Sequence, residues 1–337
     1  MNHSAAIKSI AYYLPEKKVT NQDLQAEFGN RISHKIFEKV GVTERYVIDS
    51  ETPASYLAIQ AAEKLFAENG IRRDSIDALI YCSVHQEFVT PSNSCVLQYK
   101  LSLRNDIATY DLSFGCSGYT YGLSLAKSII VTMGFKSVLL LTSSALSKFI
   151  HPQDRASRIL FGDAGSATLV SSEVDVGIGE FVFGTDGSGY DKIIIRDGAD
   201  FRKVTEDSFL EKTDDYGNVY TDAHYFMDAH DVLLFTLKKV PSLIDNTLHK
   251  NNLAKEEIDL FVFHQANQFM NEQVRKMSGI DKEKFYLHMQ NTGNTVQSTI
   301  PIALDAALKE GRIKKGSKVL IAAFGVGYSM CATILKF

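Results

Sequence analysis

The sequence predicts a layered α/β protein, α-β-α-β-α in five layers, built from two similar halves. Three observations carry that expectation. Strand-like apolar runs alternate with helical ones, segments of the first half recur in the second, and two helices have small apolar faces. Alternation of this kind implies parallel or mixed sheets covered by helices. The repeat is read from "RRDSIDALIYCSV" (72–84) against "AKEEIDLFVFHQA" (254–266), and from "GFKSVLLLTSSA" (134–145) against "KKGSKVLIAAFG" (314–325). Ile76 and Ile258, Val138 and Val319, and Cys116 and Asn294 are separated by 182, 181 and 178 residues. Three ordered matches at nearly one offset outweigh chance similarity. The halves are expected to span residues 1–173 and 174–337, divided where "VSSEVDVGIGEFVFGTDGSG" starts a new strand pattern.

In chain order, "TPASYLAIQAAEKLFAENG" reads as a helix, with Thr52 as its cap, Pro53 in the first turn and Gly70 at its end. Its face of Ala54, Ala58, Ala61, Ala62 and Leu65 implies close packing and suits the buried middle layer. Ile107 to Leu112 reads as a strand end, followed by a turn in "DLSFGCSGYTYGLSLAK" and a helix running to Gly134. Residues 199–225 follow no period and read as an insertion loop. "STIPIALDAALKEG" is a second small-faced helix suited to the middle layer, with Pro301 tolerable only near its start.

Composition removes several classes of function. A net charge of −4 and dispersed basic residues lack the footprint of a nucleic-acid binder. "MNHSAAIKSIAYYLPEKK" has no signal-peptide core, and "SVLLLTSSALS" is too short and polar-ended to cross a membrane. Four cysteines in 337 residues do not make a disulfide scaffold. Cys82-x-x-His85 has no second ligand pair at zinc spacing, so no metal is expected. A soluble, cytoplasmic protein is the expectation.

Three polar residues stand at matching places in the two halves. Cys116 lies between Gly115 and Gly118 at a helix start, where free N–H groups and the helix dipole favour a thiolate. The same stretch also suits an inert buried cysteine. His264 ends the apolar run "LFVFHQAN", and Asn294 follows Gly293 on the turn before the second central helix. Packing about a pseudo-two-fold axis would bring all three into one pocket.

With "GCSG", "RASRILFGDAGSATLV", "HQAN", "GNTVQSTIPIAL" and the terminal "AFGVGYSMCATILKF", the sequence resembles the ketoacyl-ACP synthase III family over essentially its whole length. That resemblance implies the thiolase-like fold of condensing enzymes and a homodimer. It makes Cys116 the acylated nucleophile, His264 and Asn294 its partners, and the amides of Cys116 and Val326 the oxyanion hole. Valine replaces the family's usual glycine at the last position. The implied reaction joins an acyl primer, carried by coenzyme A or acyl carrier protein (ACP), to malonyl-ACP with loss of CO₂. The product is a 3-oxoacyl-ACP, for fatty-acid initiation or a specialised lipid or polyketide pathway, and no cofactor is required. Asn exchanges no protons usefully, which suits decarboxylation rather than proton abstraction. A degradative thiolase would carry a second cysteine before the C-terminal glycines, and an elongating synthase a second histidine. The alternative is an acyltransferase on the same fold that passes the acyl group to oxygen or nitrogen.

Carrier contacts depart from the family pattern. The chain has no tryptophan. Lys35 falls where the family stacks a tryptophan on adenine, Lys39 at an arginine, and Phe269 at a phosphate-binding arginine, whereas Arg155 and Asn267 match. Arg275 and Lys276 fall where the family docks ACP. Thr90 replaces a bulky aromatic that reaches into the partner subunit's acyl pocket.

Overall fold

The computed structural model describes residues 4–173 and 177–337. Two five-stranded sheets form its frame. The first runs Ala108–Leu112, Ala78–Cys82, Ser137–Ser144, Ala164–Glu173, Ser4–Tyr13 from edge to edge. The second runs Phe285–Tyr286, Leu260–Phe263, Lys318–Gly325, Ser329–Lys336, Val182–Thr185. In both, three parallel strands are followed by two that each run antiparallel to the neighbour before. The recurring segments even share a register. Ala78 pairs with Val138 in the first sheet, and Leu260 with Val319 in the second. The junction expected at 173/174 adjoins residues 174–176, which lie outside the described residues.

Strand alternation sorts the side chains into layers. Ile80, Val138, Leu140 and Val170 of the first sheet face Val262, Val319, Ile321 and Ala323 of the second across one apolar core. Between them lie the helices Gly118–Met133 and Thr299–Lys309, which contribute Leu123, Ala126, Ile130, Ile300, Ala303 and Ala307. Leu79, Tyr81, Leu139 and Leu141 face outward, under the helix Ala54–Asn69. The helix Ala229–Lys250 covers the far side of the second sheet through Phe235, Val240 and Ile244. Two sheets and three helical layers alternate.

This corrects one expectation. Ala54–Asn69 is an outer helix, not a middle one. Its Ala face is buried, but Tyr56, Ala67, Glu68 and Asn69 are exposed, whereas Thr299 to Ala307 are buried all round. A middle-layer helix has to be apolar on both sides. Pro53, not Thr52, is the cap of the outer helix, and the Thr52 hydroxyl donates to Asp49 Oδ2 at 2.7 Å. Gly70, at φ +61°, closes it. Pro301 does sit in the first turn of its helix. Residues 199–225 carry one small hairpin, Lys212–Thr213 with Val219–Tyr220. Among the described residues no helix is long and apolar enough to cross a membrane.

Close packing of the outer helix has a definite contact. A Cβ placed on Gly165 would lie 2.2 Å from the Leu57 carbonyl oxygen. Gly165→Ala is therefore expected to destabilise the protein by about 1–3 kcal/mol, as overpacking does. Urea unfolding measures it, and an unchanged midpoint would mean the helix backbone yields freely.

Candidate active site

The turn before the first central helix is narrowed by its neighbours. A Cβ on Gly115 would lie 2.5 Å from Val326 Cγ1, and one on Gly118 would lie 2.4 Å from Cys82 Sγ. On the facing turn, Gly325 (φ +153°) leaves room for Cys116, whose Sγ would be 2.8 Å from a Cβ there. Ser117 makes no side-chain cap for the helix; its Oγ lies 2.6 Å from Ser329 Oγ, which donates to the Val326 carbonyl at 2.8 Å. The two turns are thus tied together.

Burial pushes the Cys116 thiol up to about 11. The amides of Val326 and Cys116 face the sulfur and pull in the other direction, but not enough. The thiolate favoured by a helix start is therefore not the resting state. The helix begins only at Gly118, and lost hydration outweighs the amides. Those two amides are the ones expected to form the oxyanion hole.

His264 follows the strand Leu260–Phe263, and its amide donates to the Ala322 carbonyl at 2.8 Å. Its ring is buried, with Nδ1 2.7 Å from Thr299 Oγ1. Burial lowers its pKa to about 3, so the imidazole is neutral. Asn294 is held from both halves. Its amide donates to the Leu160 carbonyl (2.9 Å), and its own carbonyl accepts from Gly162 (3.1 Å). Only glycine fits the facing positions: a Cβ on Gly162 would lie 2.4 Å from the Thr292 carbonyl oxygen, and one on Gly293 2.8 Å from that of Leu160. The Asn294 side chain accepts from Val296 N–H at 2.9 Å and donates to the Ala266 carbonyl at 3.2 Å, leaving a second amide hydrogen. Val296 is left-handed at φ +55°, a rare state for a β-branched residue.

A cavity of about 220 Å³ is lined by Cys116 and Asn294 together with Phe324 and Gly325. Its walls include Leu160, Phe161, Met227, Leu233, Thr236 and Met270, and among the described residues no charged one lines it. Phe269, 42% exposed, is among the lining residues, so the cavity reaches the surface there. Lys39 Nζ stands 5.9 Å from the Phe269 ring centre. A larger open groove beside Arg72, Arg73 and Arg104 contains none of these residues.

The other predicted contacts divide. Asn267 lines the cavity, but its Oδ1 caps the helix Gln268–Met277 by accepting from Met270 N–H at 2.8 Å. Lys35 is exposed on the helix His34–Val40 and lines no part of the cavity; Lys276 is also exposed. Arg155 is committed to the backbone, donating to the carbonyls of Arg31, Tyr216 and Gly217 at 2.8–3.0 Å. Arg275 pairs with Glu272 at 3.0 Å and donates to the Ile280 carbonyl at 2.8 Å, so it braces its own helix end and is not presented to a partner. Thr90 is exposed and lies outside the cavity of its own chain. Sequence reasoning missed the walls Met227, Leu233 and Thr236, which come from the short strand Phe226–Met227 after the insertion and from the outer helix Ala229–Lys250. It also missed Thr299 and Val296, whose roles depend on a turn that residue types do not announce. Among the described residues no group of three His, Cys, Asp or Glu side chains could hold a metal ion.

Family models for 3-oxoacyl-(acyl-carrier-protein) synthase III match residues 110–187, and for its C-terminal part residues 248–337. The beta-ketoacyl-(acyl-carrier-protein) synthase III of Clostridium perfringens is 34% identical over 99% of both chains. The chain belongs to the ketoacyl-ACP synthase III family. The enzyme of that name from Koribacter versatilis is 30% identical over 99% of this chain and 98% of its own. A crystal structure of a 3-oxoacyl-(acyl-carrier-protein) synthase III superposes with a TM-score of 0.96 at 40% identity, covering 99% of this chain and 100% of that one. A Burkholderia xenovorans synthase gives 0.90 at 33%, covering 98% and 93%. The two sheets and their middle helices are thus the family's thiolase-like fold.

A protonated resting thiol has a measurable signature. Between pH 7 and 9 the iodoacetamide rate at Cys116 should rise about tenfold per unit, since thiolate fraction follows pH below the pKa. A plateau below pH 8 would mean a stabilised thiolate instead.

Proposed function

We propose that the protein condenses an acyl thioester with malonyl-ACP, releasing CO₂ and a 3-oxoacyl-ACP. One observation carries this reading: an uncharged cavity reaches from the surface to a cysteine whose sulfur faces two backbone amides, with an asparagine amide on the same wall. Such a channel suits the neutral arm of a thioester carrier better than a charged acceptor. Cys116 sulfur attacks the primer carbonyl, the carrier leaves as its thiol with the Cys116 proton, and an acyl-cysteine remains. The extender then loses CO₂, and its enolate carbon attacks the acyl-cysteine. His264 and Asn294 donate to the extender's thioester oxygen as charge develops there, and the Cys116 and Val326 amides hold the second oxyanion. Collapse of that oxyanion frees Cys116.

The cavity entrance bears on the carrier. Arg155 and Arg275 are engaged elsewhere, Phe269 offers a ring, and Lys35, Lys39 and Lys276 are the exposed cations among the expected contacts, with Lys39 beside the Phe269 ring. These features favour an ACP-borne primer, which presents a neutral arm and an acidic surface, over free coenzyme A. The first sheet has a further open side. Ala108–Leu112 has one strand neighbour, and the exposed Phe88 and Val89 lie just before Thr90. A homodimer joined along that edge is proposed, with Thr90 reaching the partner's acyl pocket.

Half-reactions test the mechanism. Cys116→Ser should take no acyl group, whereas Cys82 and Cys331, both buried and pushed up to about 12, should never carry one. His264→Ala and Asn294→Ala should still load acyl groups but lose about 10²–10³ in CO₂ release from malonyl-ACP. Equal loss of both half-reactions in Asn294→Ala would contradict this division. Lys39→Glu with Lys276→Glu should slow acyl-ACP loading more than acyl-CoA loading; equal slowing removes the carrier preference. For the dimer, light scattering at working concentration decides, and a monomer would remove Thr90 from the pocket.

A further inference from the structure

The hydroxyl of Thr299 stands between two possible acceptors. His264 Nδ1 lies 2.7 Å from Thr299 Oγ1, and the Val296 carbonyl lies 3.0 Å from the same oxygen. A neutral imidazole has one N–H and one lone pair, so what Nδ1 does dictates what Nε2 offers. If the hydroxyl points to Val296, Oγ1 accepts from Nδ1–H and Nε2 is bare. If it points to His264, Nδ1 accepts and Nε2 carries the hydrogen. In the second arrangement the Val296 carbonyl still has a donor, because Thr299 N–H also donates to it. It also uses the shorter contact. His264 and Thr299 are 2% and 3% exposed, so water is a poor substitute for either partner.

We propose that Thr299 is a positioning residue whose hydroxyl donates to His264 Nδ1 and thereby holds the imidazole in the Nε2–H form. The inference rests on the condensation reading above, in which the extender's thioester oxygen needs an N–H donor as CO₂ departs. It also gives a reason for the left-handed backbone at Val296. That conformation turns one peptide group toward Asn294 and the other toward Thr299, so one residue aligns both partners of the cysteine. Without the hydroxyl, the polar group left beside the His264 ring is the Val296 carbonyl, which can only accept. The proton would then move to Nδ1, and Nε2 would lose its hydrogen.

Thr299→Val keeps the shape and removes the hydroxyl. Its CO₂ release from malonyl-ACP should fall by about 10²-fold, the scale for one lost oxyanion donor. Acyl loading of Cys116 and the KM for malonyl-ACP should stay within about twofold of the parent, because the interaction acts on the transition state. Thr299→Ser should recover most of the activity. In protein labelled with ¹⁵N-histidine, the His264 signals should show Nε2–H in the parent and in Thr299→Ser, and Nδ1–H in Thr299→Val. Nδ1–H in the parent, undiminished CO₂ release in Thr299→Val, or failure of serine to restore it would overturn the assignment. If the parent accepted no acyl group at all, the functional reading would fall, while the imidazole signals would still decide the role of Thr299.

Discussion

Two helices have to fit between two sheets, and the rest of the molecule follows from that constraint. Gly118–Met133 and Thr299–Lys309 share one apolar core with strands from both halves. Small residues make the fit possible: a Cβ on Gly122 would lie 2.6 Å from Leu140 Cδ1, and Ala126, Ala303 and Ala307 keep the helices slim. The helix starts lie side by side, since a Cβ on Gly118 would be 3.4 Å from the Gln297 Cβ. Cys116 and Asn294, each just ahead of one of these helices, are brought to the same wall by packing that has nothing to do with chemistry.

Several hydroxyls at this junction find partners there. Thr142 Oγ1 lies 2.7 Å from both Ser166 Oγ and Ser298 Oγ, deep between the halves, and Ser117 meets Ser329 at 2.6 Å. A buried hydroxyl without a partner costs roughly 1–3 kcal/mol. The Thr142–Ser298 and Ser117–Ser329 pairs cross between the halves and therefore penalise any sliding of one against the other. The bridge between Phe161 and Asn294 acts in the same way on the backbone. Rigidity here has a use, because oxyanion donors act best when they need not reorganise.

Burial works both for and against the reaction. It raises the Cys116 thiol and strips His264 of charge, so neither residue is activated by an ion pair at rest. The same dry surroundings strengthen each hydrogen bond to a developing negative charge. In the condensation proposed above, such surroundings suit neutral donors and a carrier arm that brings no charge inward, in keeping with the uncharged walls of the cavity.

The sequence by itself determined the layered class and the internal repeat, and it singled out Cys116, His264 and Asn294 as the candidate set. Those features are written in periodicity, offset and residue type, which each residue carries wherever the chain goes. Even the shared register of the two sheets was implicit in the offsets of Ile76 and Val138 from their counterparts. Only the tertiary structure decided which small-faced helix lies in the middle, because that depends on what covers its second side. It also decided that Arg155 and Arg275 are braces, since a guanidinium is available to a ligand only if no carbonyl or carboxylate of the fold has claimed it. The resting state of Cys116 belongs to the same class: a helix start is visible in the residues, but the loss of water around the sulfur is a sum over both halves.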